Sequence, residues 1–252
     1  MKVAIHGKVF PENTLPVIEY TIGLLRNKNY EFYLSSSFHD QVLENGVDLD
    51  NCGIYKPGLG FEHFDFVISI GGDGTLLETI PHVGRAETPI LGVNTGRLGF
   101  LATTNKEMIS EALDRIENNE FDIDSRMLLK VESSDSVFEE LNFGLNEVTV
   151  LKQDTSSMIT VHTYINDEFL NSYWADGLII ATPTGSTGYS LSCGGPVVMP
   201  QSNNLIITPV SPHNLNVRPL VVSDSNTITL EVESRSNYFM VSLDSRSNII
   251  KS

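Results

Sequence analysis

The chain has 252 residues, 40% hydrophobic and 19% charged, an ordinary balance for a globular protein and enough length for one large domain or two modest ones. Its 32 acids against 16 Lys+Arg give a formal net charge of −16, which repels nucleic acid and anionic membrane at long range, so neither is expected as a partner. An anionic ligand would then need a local device, such as backbone N–H groups or a divalent cation.

The opening "MKVAIHGKVF" is too short and mixed for a signal peptide, and no run of about 18 apolar residues suggests a transmembrane helix. Cys52 and Cys193 lie too far apart to suggest a disulfide framework or zinc-ligand spacing. Sparse cysteine fits a reducing compartment, and a cytoplasmic protein is expected.

"KVAIH" at 2–6 has the texture of a short buried strand, and Leu15, Ile18, Ile22 and Leu25 follow at helical spacing. "YEFYL" at 30–34 is a second strand. "FDFVISI" at 64–70 is a nearly continuous apolar run ending at Gly71, the pattern of a strand buried on both faces. "TPILGV" at 88–93 is another. Strands separated by helical patterns predict a parallel sheet with crossover helices. Thr104 with Glu107 three residues on suggests a capping box for the helix over "MISEALDRIEN".

From about 121 the texture changes to short β-rich runs, among them "NEVTVL", "MITVHTYI", "FLNSYW", "GLIIATP", "NLIITPV", "NTITLEVE" and "YFMVSL". Asn166-Asp167 between two of them is a hairpin signal. The expected organisation is an α/β Rossmann-like domain over 1–103 and a mostly-β domain over 104–252, a sandwich or related packed sheets. No repeat or low-complexity segment interrupts it. His6, His39, His63, His82 and His162 show no ligand spacing and are read as surface or satisfied core residues.

Residues 68–80, "ISIGGDGTLLETI", place a glycine-rich loop where a buried strand ends and a helix begins, the usual ligand-binding end of an open α/β sheet. Glycines let backbone approach a ligand closely, and the following helix N-terminus attracts phosphate. The simpler alternative is a tight turn with Asp73 as N-cap. The loop lacks the third glycine of a dinucleotide fingerprint, and the chain has no P-loop. An acid in a phosphate loop repels the ligand, which is easier to understand if Asp73 acts as a general base or through a divalent cation.

The tract "DGLIIATPTGSTGYSLSCGGP" at 176–196 sets five hydroxyls (Thr184, Ser186, Thr187, Ser190, Ser192) among glycines, which suits a polar ligand with many acceptors. It does not fit a hydrolase nucleophile elbow. Tyr189 would either stack on a base or fill core. At "NEVTVL", the Glu147 carboxylate can grip a ribose diol and Asn146 can read an adenine edge; a solvated strand end is the plainer alternative.

Together, "GGDGT" at 71–75, "NTGRLGF" at 94–100, "NEVTV" at 146–150, the 176–196 tract and "ITPVSPHNLNVRPLV" at 207–221 resemble the NAD kinase family over nearly the whole chain. The first motif also occurs in diacylglycerol kinases, sphingosine kinases and 6-phosphofructokinases; the second tract is much more specific. The resemblance implies phosphorylation of the 2′-hydroxyl of the adenosine ribose of NAD by ATP, or by polyphosphate, to give NADP. It implies Mg²⁺ or another divalent cation, useful to a chain of charge −16 with two anionic substrates, with no protein metal ligand assignable. It also implies a homodimer or homotetramer.

Carried over by motif, Asp73 matches the proton acceptor for the ribose hydroxyl, and Gly72, Gly74 and Thr75 the phosphate-contacting turn. Asn146 and Glu147 match the adenosine contacts, and Asp176 the acid near nicotinamide. Thr187, Gly188, Tyr189, Ser190, Leu191 and Ser192 match the loop around adenine and ribose. Phe100 and His213 match pocket-lining positions less directly. Three departures stand out. Gly188 replaces a common alanine, Glu78 stands where many bacterial members have Arg or Lys, and the family's chain returns to the first domain after the segment matching "VSLDSRS" whereas this sequence ends at Ser252. The competing readings are a lipid kinase of the diacylglycerol type and a catalytically inert NAD-binding protein.

Overall fold

A computed structural model describes residues 1–9, 14–57, 61–96, 99–133, 137–138, 141–153 and 157–252, and its packing divides the chain into two units, Met1–Asp124 and Ser125–Ser252. In the first unit, β1 (Lys2–Gly7), β2 (Glu31–Ser35), β3 (Gly53–Tyr55), β4 (Phe66–Gly71) and β5 (Ile90–Asn94) form a sheet in the order β3-β2-β1-β4-β5. All its pairings are parallel. The apolar run of β4 is buried along its full length, because it has a strand on each side and cover on both faces. The strand order reverses between β1 and β4, so the loop after β4 opens at the switch point of the sheet.

Helix α1 (Leu15–Asn27) buries Val17, Ile18, Thr21, Ile22 and Leu25, the stripe its periodicity predicts, and Pro16 suits its first turn. Helix α2 (Ser36–Glu44) and strand β3 carry little sequence signal, since α2 buries only Phe38 and Val42. The glycine-rich loop feeds helix α3 (Asp73–Val83). Helix α4 (Ile109–Glu117) follows a single 3₁₀ turn that Asn105, not Thr104, caps: its Oδ1 accepts the Met108 N–H at 3.1 Å. Ile109 and Leu113 pack into the same core as Ile5, Ile22 and Ile68. The helix following residue 103 therefore belongs to the first unit, whose packing ends at Asp124 rather than near 103.

The second unit is antiparallel. A six-stranded sheet runs β13 (Leu220–Ser223), β12 (Asn204–Val210), β11 (Gly177–Ala181), β8 (Glu147–Lys152), β15 (Tyr238–Leu243), β16 (Arg246–Lys251). A three-stranded sheet runs β10 (Glu168–Ala175), β9 (Ile159–Ile165), β14 (Ile228–Glu233), and β6 (Leu129–Lys130) pairs with β7 (Phe143–Gly144). Val148, Val150, Ile180 and Val241 of the larger sheet share one core with Val161 and Tyr173 of the smaller one, as in a sandwich. Asn166 and Asp167 turn the β9–β10 hairpin at φ 50° and 67°, the double positive-φ turn their identities suggest. Strands β13 and β16 escape sequence notice because both are sheet edges with mostly exposed side chains.

Candidate active site

In the first unit the glycine loop is a strand-to-helix turn. Gly72 is the N-cap of α3 and Asp73 the first helical residue, so Asp73 does not cap this helix. Its carboxylate instead reaches the "NTGRLGF" segment. Oδ2 accepts the Phe100 N–H at 2.8 Å, and Oδ1 accepts those of Leu101 and Ala102, each at 3.0 Å. A β-carbon at Gly99 would lie 2.2 Å from Asp73 Oδ1, so only glycine admits this contact. Asn94 braces the same segment: its Oδ1 accepts the Gly96 N–H at 2.7 Å and its Nδ2 donates to Ala102 O at 3.1 Å. Arg97 and Leu98 of that motif lie outside the described residues.

Thr75 is buried in the first turn of α3, and Phe100 is 71% exposed. Glu78 carries its own cation, with Lys8 Nζ 2.5 Å from its Oε1. His6 and His82, expected to be satisfied or exposed, form a ring pair 4.2 Å apart, with His6 buried and His82 half-buried. His6 Nδ1 meets Ser35 Oγ at 2.8 Å, but its Nε2 has no partner. His82 Nδ1 meets the Tyr55 hydroxyl at 3.1 Å. Burial pushes both imidazoles down to about 4.

In the second unit, β8 begins at Glu147, opposite Ala181 of β11. Beyond Ala181 the 182–195 tract folds back as a 3₁₀ turn (Thr184–Thr187) and a short helix, α5 (Tyr189–Ser192). Thr182 ties the tract to the strand, donating from Oγ1 to Leu145 O at 2.6 Å and from its N–H to Asn146 O at 2.8 Å. The N–H groups of Ser190 and Tyr189, at the start of α5, face the Glu147 carboxyl and lower its pKa. Burial outweighs that influence and pushes the Glu147 carboxyl up to about 7, with a smaller push from the charge of Asp244. Two acceptors there have no donor: Asn146 Oδ1 and Glu147 Oε2 are buried and unpartnered.

The hydroxyl tract faces its own fold more than the sequence suggests. Ser190 Oγ lies 2.8 Å from Thr208 Oγ1, Ser186 Oγ accepts the Val198 N–H at 3.1 Å, and Thr187 Oγ1 donates to Thr184 O at 3.3 Å. Tyr189, Leu191 and Ser192 are exposed. An alanine at Gly188 would place its β-carbon 3.2 Å from Gly185 O and 3.3 Å from Glu147 Oε2, close but short of collision. Asp176 pairs with Lys152 at 2.6 Å, and the exposed His213 ring lies 4.3 Å from that of Trp174. The structure thus gathers Asn146, Glu147, Gly188, Tyr189 and Ser190 around one point. The sequence reading missed Asp244, whose only local signal was a turn after a strand.

The sequence model of the ATP-NAD kinase N-terminal domain matches residues 59–121, and that of the ATP-NAD kinase C-terminal domain matches residues 145–251. The NAD kinase of Bacteroides fragilis is 51% identical over 254 residues, spanning 100% of this chain and 86% of that protein. The chain belongs to the NAD kinase family. The NAD kinase of Cytophaga hutchinsonii is 48% identical over 255 residues, spanning 100% of this chain and 87% of its own. The crystal structure of an NAD kinase from Archaeoglobus fulgidus in complex with ATP superposes with a TM-score of 0.73 at 27% identity, covering 100% of this chain and 90% of that one. Yeast NADH kinase complexed with NADH shares the fold, with a TM-score of 0.80 at 24% identity over 98% of this chain and 76% of its own. Asp73 and Phe100 fall inside the segment matched to the N-terminal domain, and Asn146, Glu147 and the 182–195 tract inside the segment matched to the C-terminal domain.

Proposed function

We propose that this chain transfers the terminal phosphoryl group of ATP to the 2′-hydroxyl of the adenosine ribose of NAD, giving NADP. The observation that carries the reading is the pair of buried acceptors without donors, Asn146 Oδ1 and Glu147 Oε2. A buried acceptor left unpaired costs about 1–3 kcal/mol, which a ligand donor recovers. Adenosine brings the matching donors, an exocyclic amine for the Asn146 amide and a ribose diol for the Glu147 carboxylate. Tyr189, Leu191 and Ser192, exposed beside them on α5, supply contact surface, and Thr187, Gly188 and Ser190 shape the loop. Asp176, Phe100 and His213 would complete the nicotinamide and pocket contacts.

Asp73 accepts the hydroxyl proton. A carboxylate has about four lone-pair sites, and three are taken by the N–H groups of Phe100, Leu101 and Ala102, so Oδ2 keeps one acceptor direction. A positioned base of this kind raises the reactivity of a poor nucleophile. Gly72, Gly74 and Thr75 stand at the start of α3, where N–H groups and the helix dipole favour the ATP phosphates. Among the described residues no three His, Cys, Asp or Glu side chains converge on a metal position. The divalent cation would arrive on the phosphates as part of the substrate, the habit of Mg²⁺. Polyphosphate would enter by the same phosphate contacts. The enzyme would work as a homo-oligomer in the cytoplasm; among the described residues no helix is long and apolar enough to cross a membrane.

The test is to incubate the purified chain with NAD, ATP and Mg²⁺ and read NADP with an NADP-specific dehydrogenase cycling assay. NADP from the wild type and almost none from Asp73→Asn is the expected result. Phosphorylation of a micellar lipid and none of NAD would instead favour a lipid kinase. NAD binding without turnover from either donor would leave an inert nucleotide-binding protein.

A further inference from the structure

The two-residue turn Asp244-Ser245 joins β15 to β16, and Asp244 adopts φ 51°, a left-handed conformation that Asp tolerates better than most residues. Its carboxylate crosses to the start of the neighbouring strand. Oδ2 accepts the Leu145 N–H at 2.7 Å, and Oδ1 accepts those of Asn146 at 2.8 Å and Glu147 at 3.0 Å. The Asp244 N–H returns a bond to Glu147 O at 3.0 Å. Gly144 leaves room for the acid: a β-carbon there would lie 3.0 Å from Asp244 Oδ2 and 2.7 Å from Leu243 Cδ1. Two residues on, the Arg246 guanidinium donates to Leu141 O and Phe143 O.

We infer that Asp244 is a positioning residue for NAD: by taking three consecutive N–H groups it fixes the peptide planes from which the Asn146 and Glu147 side chains project. Arg246 fastens the two carbonyls just upstream, so one turn holds residues 141–147 from both polarities. The inference rests on the reading of Asn146 and Glu147 as the adenosine contacts. Charge-assisted bonds to backbone N–H groups are the strong kind, so three of them hold the start of the strand firmly. The arrangement also sets a second carboxylate near Glu147, and its charge adds to the rise of the Glu147 carboxyl that burial begins.

The test is Asp244→Asn in the full chain, with NAD affinity measured by titration calorimetry without ATP and KM for both substrates by NADP formation. The amide keeps one acceptor and turns an NH₂ against an N–H donor, so the strand start loosens while the turn keeps its shape. The expected result is NAD affinity weaker by about tenfold or more, the equivalent of one lost charge-assisted bond, with KM for ATP changed by less than about twofold. With the neighbouring charge removed, the pH below which NAD affinity falls should also move to lower pH. If this variant does not fold, Arg246→Lys releases part of the same clamp and should show the same selective loss for NAD. A folded variant with unchanged NAD affinity and an unshifted pH profile overturns the inference, as does an equal rise in both KM values. A wild type that does not bind NAD overturns the underlying reading and the inference with it, and is seen before any variant is made.

Discussion

Asp73 and Gly99 are locked together: the carboxylate occupies the space where any side chain at Gly99 would begin, 2.2 Å from Oδ1. The acid thus holds the segment that holds it. Asp73→Asn keeps one oxygen for the Leu101 and Ala102 N–H groups but turns its NH₂ against that of Phe100, so it should loosen the 99–102 segment locally, keep most of the fold, and lower kcat by about 10²–10⁴-fold, the usual worth of a positioned base. Gly99→Ala should reach a similar loss by another route, pushing the carboxylate off its N–H groups. Rates of NADP formation beside melting temperatures would separate the two, with Gly99→Ala the less stable. Wild-type rates in folded Gly99→Ala would sink the idea that this contact sets the base.

Glu147 should give NAD binding a pH dependence near neutrality. Its carboxyl titrates at about 7 through burial, and the ribose diol needs the charged acceptor. KM for NAD should therefore rise as pH falls below about 7, and Glu147→Gln should bind NAD weakly at every pH with a flat profile. Stability runs the other way. The folded state binds this proton more tightly than the usual 4.5, so its contribution is full below that value and is lost as pH rises through about 7. The melting temperature of the wild type relative to Glu147→Gln should fall between pH 5 and pH 8.

The His6–His82 pair should make the first unit acid-sensitive. Both imidazoles are held down to about 4 from 6.5, chiefly by burial, with Lys8 lowering His6, His6 lowering His82, and Glu78 opposing weakly at His82. A depressed folded value means the unfolded chain takes up the protons first. The stability contribution is present above 6.5 and lost as pH falls through about 4, at most on the order of 3 kcal/mol for each ring. Urea midpoints of the wild type and His82→Phe at pH 7 and pH 4.5 would show it; an equal acid loss in both would count against the pair.

Leu113 is fully buried in the core of the first unit. Leu113→Ala should destabilise that unit by about 2–5 kcal/mol, read as a shift in its urea midpoint. A change below about 0.5 kcal/mol would mean that α4 is not part of that core.

By itself the sequence determined the parallel sheet of the first unit, the strand-to-helix glycine loop and the Asn166-Asp167 hairpin. Each is written in neighbouring residues, as an apolar run, a helical stripe or a turn-forming pair, and local backbone preference reads such signals directly. What Asp73 touches was not legible, because its partners begin 27 residues further on and depend on how the 99–102 segment returns across β5. Asp244 is 98 residues from Asn146, and only the β8–β15 register brings them together. The inward turn of the Ser186 and Ser190 hydroxyls and the packing of α4 with the first unit were also decided by tertiary structure. The physical reason is common to all four: a polar group or an apolar stripe announces that it needs a partner, but which partner it finds is set by strand register and packing across long stretches of chain.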